Sequence, residues 1–143
     1  MLTVDVEVKA SRRLKSGAVI VHESGRLYDS DHGYLRGWGL TGKTVGAKKL
    51  SMAQGIIPPG VSASPHYHPF ETAIFISKGT CRVFWGSDRH EFTDIEEGDF
   101  LYIPKGVVHC PANEGKMTVE YVVARSSPEE VCRYPKVKKT VFS

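Results

Sequence analysis

The chain is poor in cysteine and has no long apolar run, and both shortages narrow what it can be. Cys81, Cys110 and Cys132 are an odd set with no C-x-x-C spacing. That argues against a disulfide framework and fits a reducing compartment, so a cytoplasmic protein is expected. No stretch approaches the roughly 20 apolar residues that span a bilayer. The opening "MLTVDVEVKASRRLKSG" has neither the continuous apolar segment nor the small-residue cleavage site of a signal peptide. Charge of one sign is scarce as well. Nineteen Lys and Arg against 16 Asp and Glu leave +3, too little to imply nucleic acid. The one basic cluster, "YPKVKKTVF", reads as a solvated or subunit-crossing terminal segment. Internal repeats, low-complexity linkers and the G-x-S-x-G, Walker-type and G-x-G-x-x-G signatures are all absent.

What is present is a short chain rich in punctuation. Its 143 residues fit one domain, residues 1–143, and a chain of that length buries about two-thirds of its unfolded surface without needing disulfides. Fourteen glycines and eight prolines separate short apolar runs, the pattern of many strands and many turns. "SGAVIVHESG" predicts an early strand, and the glycine-rich "DSDHGYLRGWGLTGK" a loop or irregular strand. "AKKLSMAQGIIPPG" has period two, with Leu50, Met52, Gln54 and Ile56 on one face. Further runs follow in "TAIFIS", "TCRVFWG", "RHEFTDIEEGD", "FLYIP", "VVHC" and "TVEYVVA". Their regular spacing predicts an antiparallel sandwich or barrel. "SSPEEVCRY" alone reads as helical, with Ser127 as cap, Pro128 at the first position and Glu129 and Glu130 in the first turn. The expected fold is all-β with one short C-terminal helix.

The chemistry concentrates in "PHYHPFETAIFISKG". His66 and His68 flank one residue, so on an extended strand both rings point to the same face. Two buried imidazoles without partners leave polar nitrogens unsatisfied, and a divalent metal resolves that. His109, after the turn-rich "GDFLYIPKGVVH", is the best third ligand. The competing reading is ordinary core histidines satisfied by hydrogen bonds. Gln54, on the face shared with Met52, is a candidate neighbour of the site or core-edge packing. Trp38, Phe75, Phe84, Trp85, Phe100 and Tyr102 either wall an apolar pocket or pack the core, and Tyr67 and Phe70 are expected outside or at the rim. His22, His32 and His90 lie in polar, turn-rich settings and are expected to be exposed.

Two segments together resemble the cupin superfamily. The first runs Gly60, "VSASP", His66, Tyr67, His68, "PF", Glu71, "TAIFISK", Gly79. The second runs Gly98, "DFLYI", Pro104, Lys105, Gly106, "VV", His109, "CPA", Asn113, with eighteen residues between Gly79 and Gly98. The resemblance covers about residues 48–123. It implies a small antiparallel jelly-roll β-barrel holding one divalent metal (iron, manganese, zinc, nickel or copper) on His66, His68 and His109. Glu71 stands in the family's carboxylate position, but the spacing departs from the pattern by one residue and, counted back from Gly79, the slot falls on Thr72. A one-residue slip turns a side chain to the opposite face unless a bulge intervenes. Glu71 is therefore either a fourth ligand or a rim carboxylate beside a three-histidine site completed by water.

Such a centre leaves coordination positions open, the mark of a catalytic metal. The resemblance implies a metalloenzyme acting on a small organic molecule, by dioxygenase-type or by Lewis-acid carbonyl chemistry. The alternatives are a zinc-dependent polyketide cyclase-like or sugar-phosphate isomerase-like enzyme, and a non-catalytic binding or sensing module. Glu71, Gln54 and Tyr102 are the candidates for acid–base work. Arg36, Lys49 and Arg82 are the charges an isomerase would need at the barrel mouth. Strand-like "MLTVDVEV" and "KKTVFS" would leave open edges, so a homodimer is expected; neither nucleic acid nor membrane is an expected partner.

Overall fold

The structure is a computed structural model describing residues 10–30 and 33–136. Along the chain the strands are β1 (Ser11–Arg13), β2 (Val19–Val21), β3 (Leu27–Asp29), β4 (Leu35–Leu40) and β5 (Ser51–Ile57). They continue with β6 (Thr72–Lys78), β7 (Cys81–Trp85), β8 (Glu91–Ile95), β9 (Phe100–Ile103), β10 (His109–Ala112) and β11 (Val119–Arg125). A six-stranded sheet runs in the order β3-β4-β5-β11-β6-β9, a three-stranded sheet β10-β7-β8, and β1 pairs with β2. Every pairing is antiparallel. The architecture is the all-β jelly-roll barrel expected from the sequence. Its core joins Trp38, Ala53, Ile57, Ile76 and Val123 of the larger sheet to Cys81, Val83, Ile95 and Cys110 of the smaller.

The period-two reading of β5 holds, but its inward face is the other one. Ser51, Ala53, Gly55 and Ile57 are buried, while Met52 and Gln54 are exposed. The reason is volume. Gly55 lies opposite Tyr121 of β11, and a Cβ on Gly55 would meet Tyr121 Cζ at 2.1 Å. Small residues face inward on β5 because the Tyr121 ring occupies the space beside them.

β11 alternates without fault. Val119, Tyr121, Val123 and Arg125 face in, so the strand carries an arginine into the interior at its end. At the turn from β6 to β7, Gly79 has φ +81°, and a Cβ there would lie 3.0 Å from Thr118 O, which suits glycine alone.

The expected C-terminal helix is absent: residues 126–129 form bends. Ser127 Oγ donates to Glu129 O at 2.8 Å rather than capping a helix. Arg125 holds Glu130 at 3.2 Å, and Arg133 and Tyr67 exchange backbone hydrogen bonds of 2.9 and 2.8 Å. These tertiary contacts hold the segment out of a helix against its local preference. The one short α-helix among the described residues is instead α1 (Gly42–Val45). Thr41 caps it, its Oγ1 accepting from the N–H groups of Lys43 and Thr44, both at 3.1 Å. None of the helices described is long and apolar enough to cross a membrane. The two segments expected to pair in a dimer, and His32, lie outside the described residues.

Candidate metal centre

The two sequence motifs are zipped together by their backbones. Gly60 N–H donates to Asn113 O and Ala63 N–H to Pro111 O, both at 2.9 Å. His66 and His109 exchange bonds of 3.0 and 2.9 Å, and Gly106 N–H donates to His68 O at 2.9 Å. Gly106 makes that last contact with φ +80°, a conformation open to glycine. Asn113 fixes the far end, donating through Nδ2 to Ile57 O at 2.9 Å and Met117 O at 2.7 Å.

This pairing gathers three buried histidines. The ring centroids of His66 and His109 lie 4.4 Å apart, of His66 and His68 5.1 Å, and of His68 and His109 5.2 Å. One ligand atom from each lies within 4.8 Å of the others, a cluster that can hold a metal ion. The Nδ1 atoms are already engaged: His66 with Ser64 O at 2.7 Å, His68 with Val131 O at 2.7 Å, and His109 with Val107 O at 2.9 Å. A carbonyl can only accept, so each Nδ1 carries the proton and each Nε2 keeps a lone pair. His68 Nε2 is buried without a partner, the situation a bound cation relieves. Burial first, and then the Arg125 cation, push the His68 pKa down to about 4, so its ring is a neutral ligand at pH 7.

The rings line a cavity of ≈ 40 Å³. Its walls are largely apolar, Ile57, Ile74, Ile76 and Val83 among them, with a polar arc of Tyr34, Arg36, Tyr121, Arg125 and Glu130. Arg36 grips Asp29 through two bonds of 2.9 and 3.1 Å. Glu130 lies 3.3 Å from His68 Nδ1 and accepts from Arg125 Nε at 3.2 Å and Nη2 at 3.5 Å. Phe70 stacks on His68 with ring centroids 5.1 Å apart. Burial pushes the Tyr121 hydroxyl up to about 12 and the Cys81 thiol up to about 11; both stay protonated at neutral pH.

The other sequence candidates lie elsewhere. Glu71 is exposed on the outer face and accepts from Tyr102 Oη at 2.6 Å; its neighbour Thr72 is the inward residue, 1% exposed. With no bulge at this point of β6, the one-residue slip turns the carboxylate away from the histidines. Tyr102 is 59% exposed. Gln54 also faces outward and accepts from Arg26 Nη1 at 3.0 Å. Phe100 is 82% exposed, whereas Phe70, expected at the rim, is buried against the site. Of the three basic candidates only Arg36 reaches the cavity. Arg82 pairs with Asp94 at 2.8 Å and Lys49 is exposed.

Arg125, Glu130, Tyr34 and Tyr121 also line the chamber, and no motif in the sequence marks them for it. Period two along "TVEYVVAR" signals Tyr121 and Arg125, which share a face with Val119 and Val123. Glu130 carried the opposite signal, a helical first turn. Tyr34 shares a strand face with Arg36 and Trp38, but its bonds to Pro111 O and Ala63 N–H depend on distant chain.

Comparison with known proteins agrees with this geometry. A mannose-1-phosphate guanylyltransferase of Salmonella montevideo is 32% identical over 85 residues, which cover 59% of this chain and 17% of that protein. A germin-like protein of Morus alba is 32% identical over 55% of this chain and 39% of its own length. Protein SchB of Streptomyces halstedii is 32% identical over 58% of this chain and 59% of its own. The chain thus spans less than two-thirds of each. Among solved structures, the polyketide cyclase RemF of Streptomyces resistomycificus superposes with TM-score 0.68 at 17% identity, covering 83% of this chain and 86% of that one. An oxalate decarboxylase of Bacillus subtilis does so with TM-score 0.66 at 17% identity, over 78% of this chain and 30% of the other; these likenesses speak to fold. The cupin-domain family profile matches residues 54–125, half of the sequence and both histidine motifs: the chain belongs to the cupin family.

Proposed function

We propose that this chain is a metal-dependent enzyme. One divalent ion rests on Nε2 of His66, His68 and His109, and a small organic molecule binds beside it in the cavity. The observation that carries this reading is the set of three buried imidazoles whose Nδ1 atoms are anchored on backbone carbonyls and which each offer one ring nitrogen within 4.8 Å of the others. Three neutral ligands leave positions open for water or substrate. A bound ion supplies Lewis acidity or, if redox-active, a site for oxygen. The donor set suits iron, manganese, zinc, nickel and copper alike.

The chain's own residues divide the remaining work. Glu130, the carboxylate of the cavity lining and 3.3 Å from His68 Nδ1, serves as the proton acceptor. Tyr121, held protonated by burial, lines the cavity and offers its hydroxyl proton to the bound molecule. Apolar walls limit water. Glu71, Gln54 and Tyr102 take no part, being on the outer surface. A sugar-phosphate isomerase is disfavoured because Lys49 and Arg82 stay outside and the two arginines that line the cavity are already paired, Arg36 with Asp29 and Arg125 with Glu130. Lewis-acid chemistry of the cyclase kind fits a barrel that superposes on nearly the whole of RemF. We place the protein in the cytoplasm as a homodimer of single domains, the former on its three free cysteines.

Oxygen consumption and product formation over a panel of catechols and diketones test the proposal on metal-loaded and chelator-treated protein. Turnover confined to the loaded form is the expected result. Turnover unchanged by metal removal contradicts it, and tight ligand binding without turnover assigns a sensing module instead.

A further inference from the structure

We infer that the molecule bound in this cavity is a small organic carboxylate and that Arg125 selects it; the inference rests on the metal reading above. Arg125 is 7% exposed and lines the chamber beside the histidines. Its Nε and Nη2 are spent on Glu130. Its Nη1 is buried and finds no acceptor among the described residues. The cross-strand neighbours of Arg125 are Ser51 and Thr72, and neither serves: the hydroxyl of each is itself buried without a partner. An unanswered donor on a charged group is costly to bury, so its acceptor is expected to arrive with the ligand.

The charge count points the same way. Asp29 neutralises Arg36 and Glu130 neutralises Arg125. Three neutral imidazoles bring no charge to a divalent ion, and Glu71, which follows the His66–His68 pair, lies outside. A cation in a chamber walled by isoleucine and valine therefore has no counter-charge of its own from the protein. A carboxylate supplies that charge and an oxygen for Nη1 in one group, a planar match for a guanidinium. Shared partners place Arg125 on the His68 side of the triad. Glu130 Oε1 is 3.3 Å from His68 Nδ1 and 3.5 Å from Arg125 Nη2. Phe70 stacks on His68 and lies 5.7 Å from the Arg125 guanidinium.

The test is calorimetric titration of Mn2+-loaded protein with lactate and with its uncharged isostere lactamide, manganese being measured in the same samples. The parent is expected to bind lactate at least about tenfold more tightly. Arg125→Lys keeps a cation for Glu130 but lacks the third nitrogen of the fork. The double variant Arg125→Met, Glu130→Gln removes the ion pair whole, stranding no buried charge. Both are expected to keep the parent's manganese content and to lose the preference to within about twofold. Equal affinity of the loaded parent for the two probes, or a preference that survives in both variants, overturns the proposal. A lactate preference in a parent that takes up no manganese supports the role of Arg125 and overturns the metal reading instead.

Discussion

His66 and His109, 43 positions apart in sequence, are a hydrogen-bonded backbone pair, each N–H donating to the other's carbonyl at 3.0 and 2.9 Å. Their side chains therefore leave the same pleat on the same side, with ring centroids 4.4 Å apart. The position of the rings is set by main-chain geometry, which a side-chain substitution leaves in place. Exchanging either ring is thus predicted to remove a ligand without dismantling the barrel.

Gly55→Ala is predicted to destabilise the protein by about 1–3 kcal/mol, the usual cost of overpacking. The added methyl would meet Tyr121 Cζ at 2.1 Å. Urea denaturation of Gly55→Ala in the parent and in a Tyr121→Ala background checks this. The cost is expected to shrink sharply when the ring is gone, giving a coupling energy from the double-mutant cycle.

Glu71→Gln and Tyr102→Phe are predicted to be silent at the metal. The two side chains bond to each other on the outer face. Each substitution is expected to change stability by no more than about 0.5 kcal/mol and to leave metal content at the parental level. A large loss of metal in Glu71→Gln would restore it as a ligand.

The sequence's motif spacing carried much of this. The H-x-H pair, His109 and the turn glycines were legible because period two and positive-φ turns are local properties. The inward face of β5 was not legible from β5 alone, since it depends on the Tyr121 ring opposite Gly55. The position of Glu71 could be narrowed to two faces but not chosen until β6 proved free of a bulge there. Residues 127–134 carry a good local helix signal, yet contacts with Arg125 and Tyr67 and the Val131 carbonyl's bond with His68 keep them from forming one. Arg125 could have been read from the alternation in "TVEYVVAR"; its ion pair with Glu130 could not.

Acid should loosen the metal-free protein. His68 has its pKa pushed down to about 4 in the fold, against about 6.5 in the unfolded chain. Between those values the unfolded state binds a proton that the folded state refuses. Stability from this group is therefore complete above about pH 6.5 and is lost as pH falls towards 4, by roughly 3 kcal/mol. Thermal unfolding of chelator-treated protein across that range is the check. His68→Phe is expected to flatten the dependence.

The central claim is best tested by elemental analysis of protein purified without added metal, made on the parent, His66→Ala and His109→Ala, with circular dichroism to confirm that all three fold. The account predicts close to one divalent ion per chain in the parent and little in either variant, with the β signature unchanged. Metal absent from the folded parent, or retained in full by both folded variants, would contradict it.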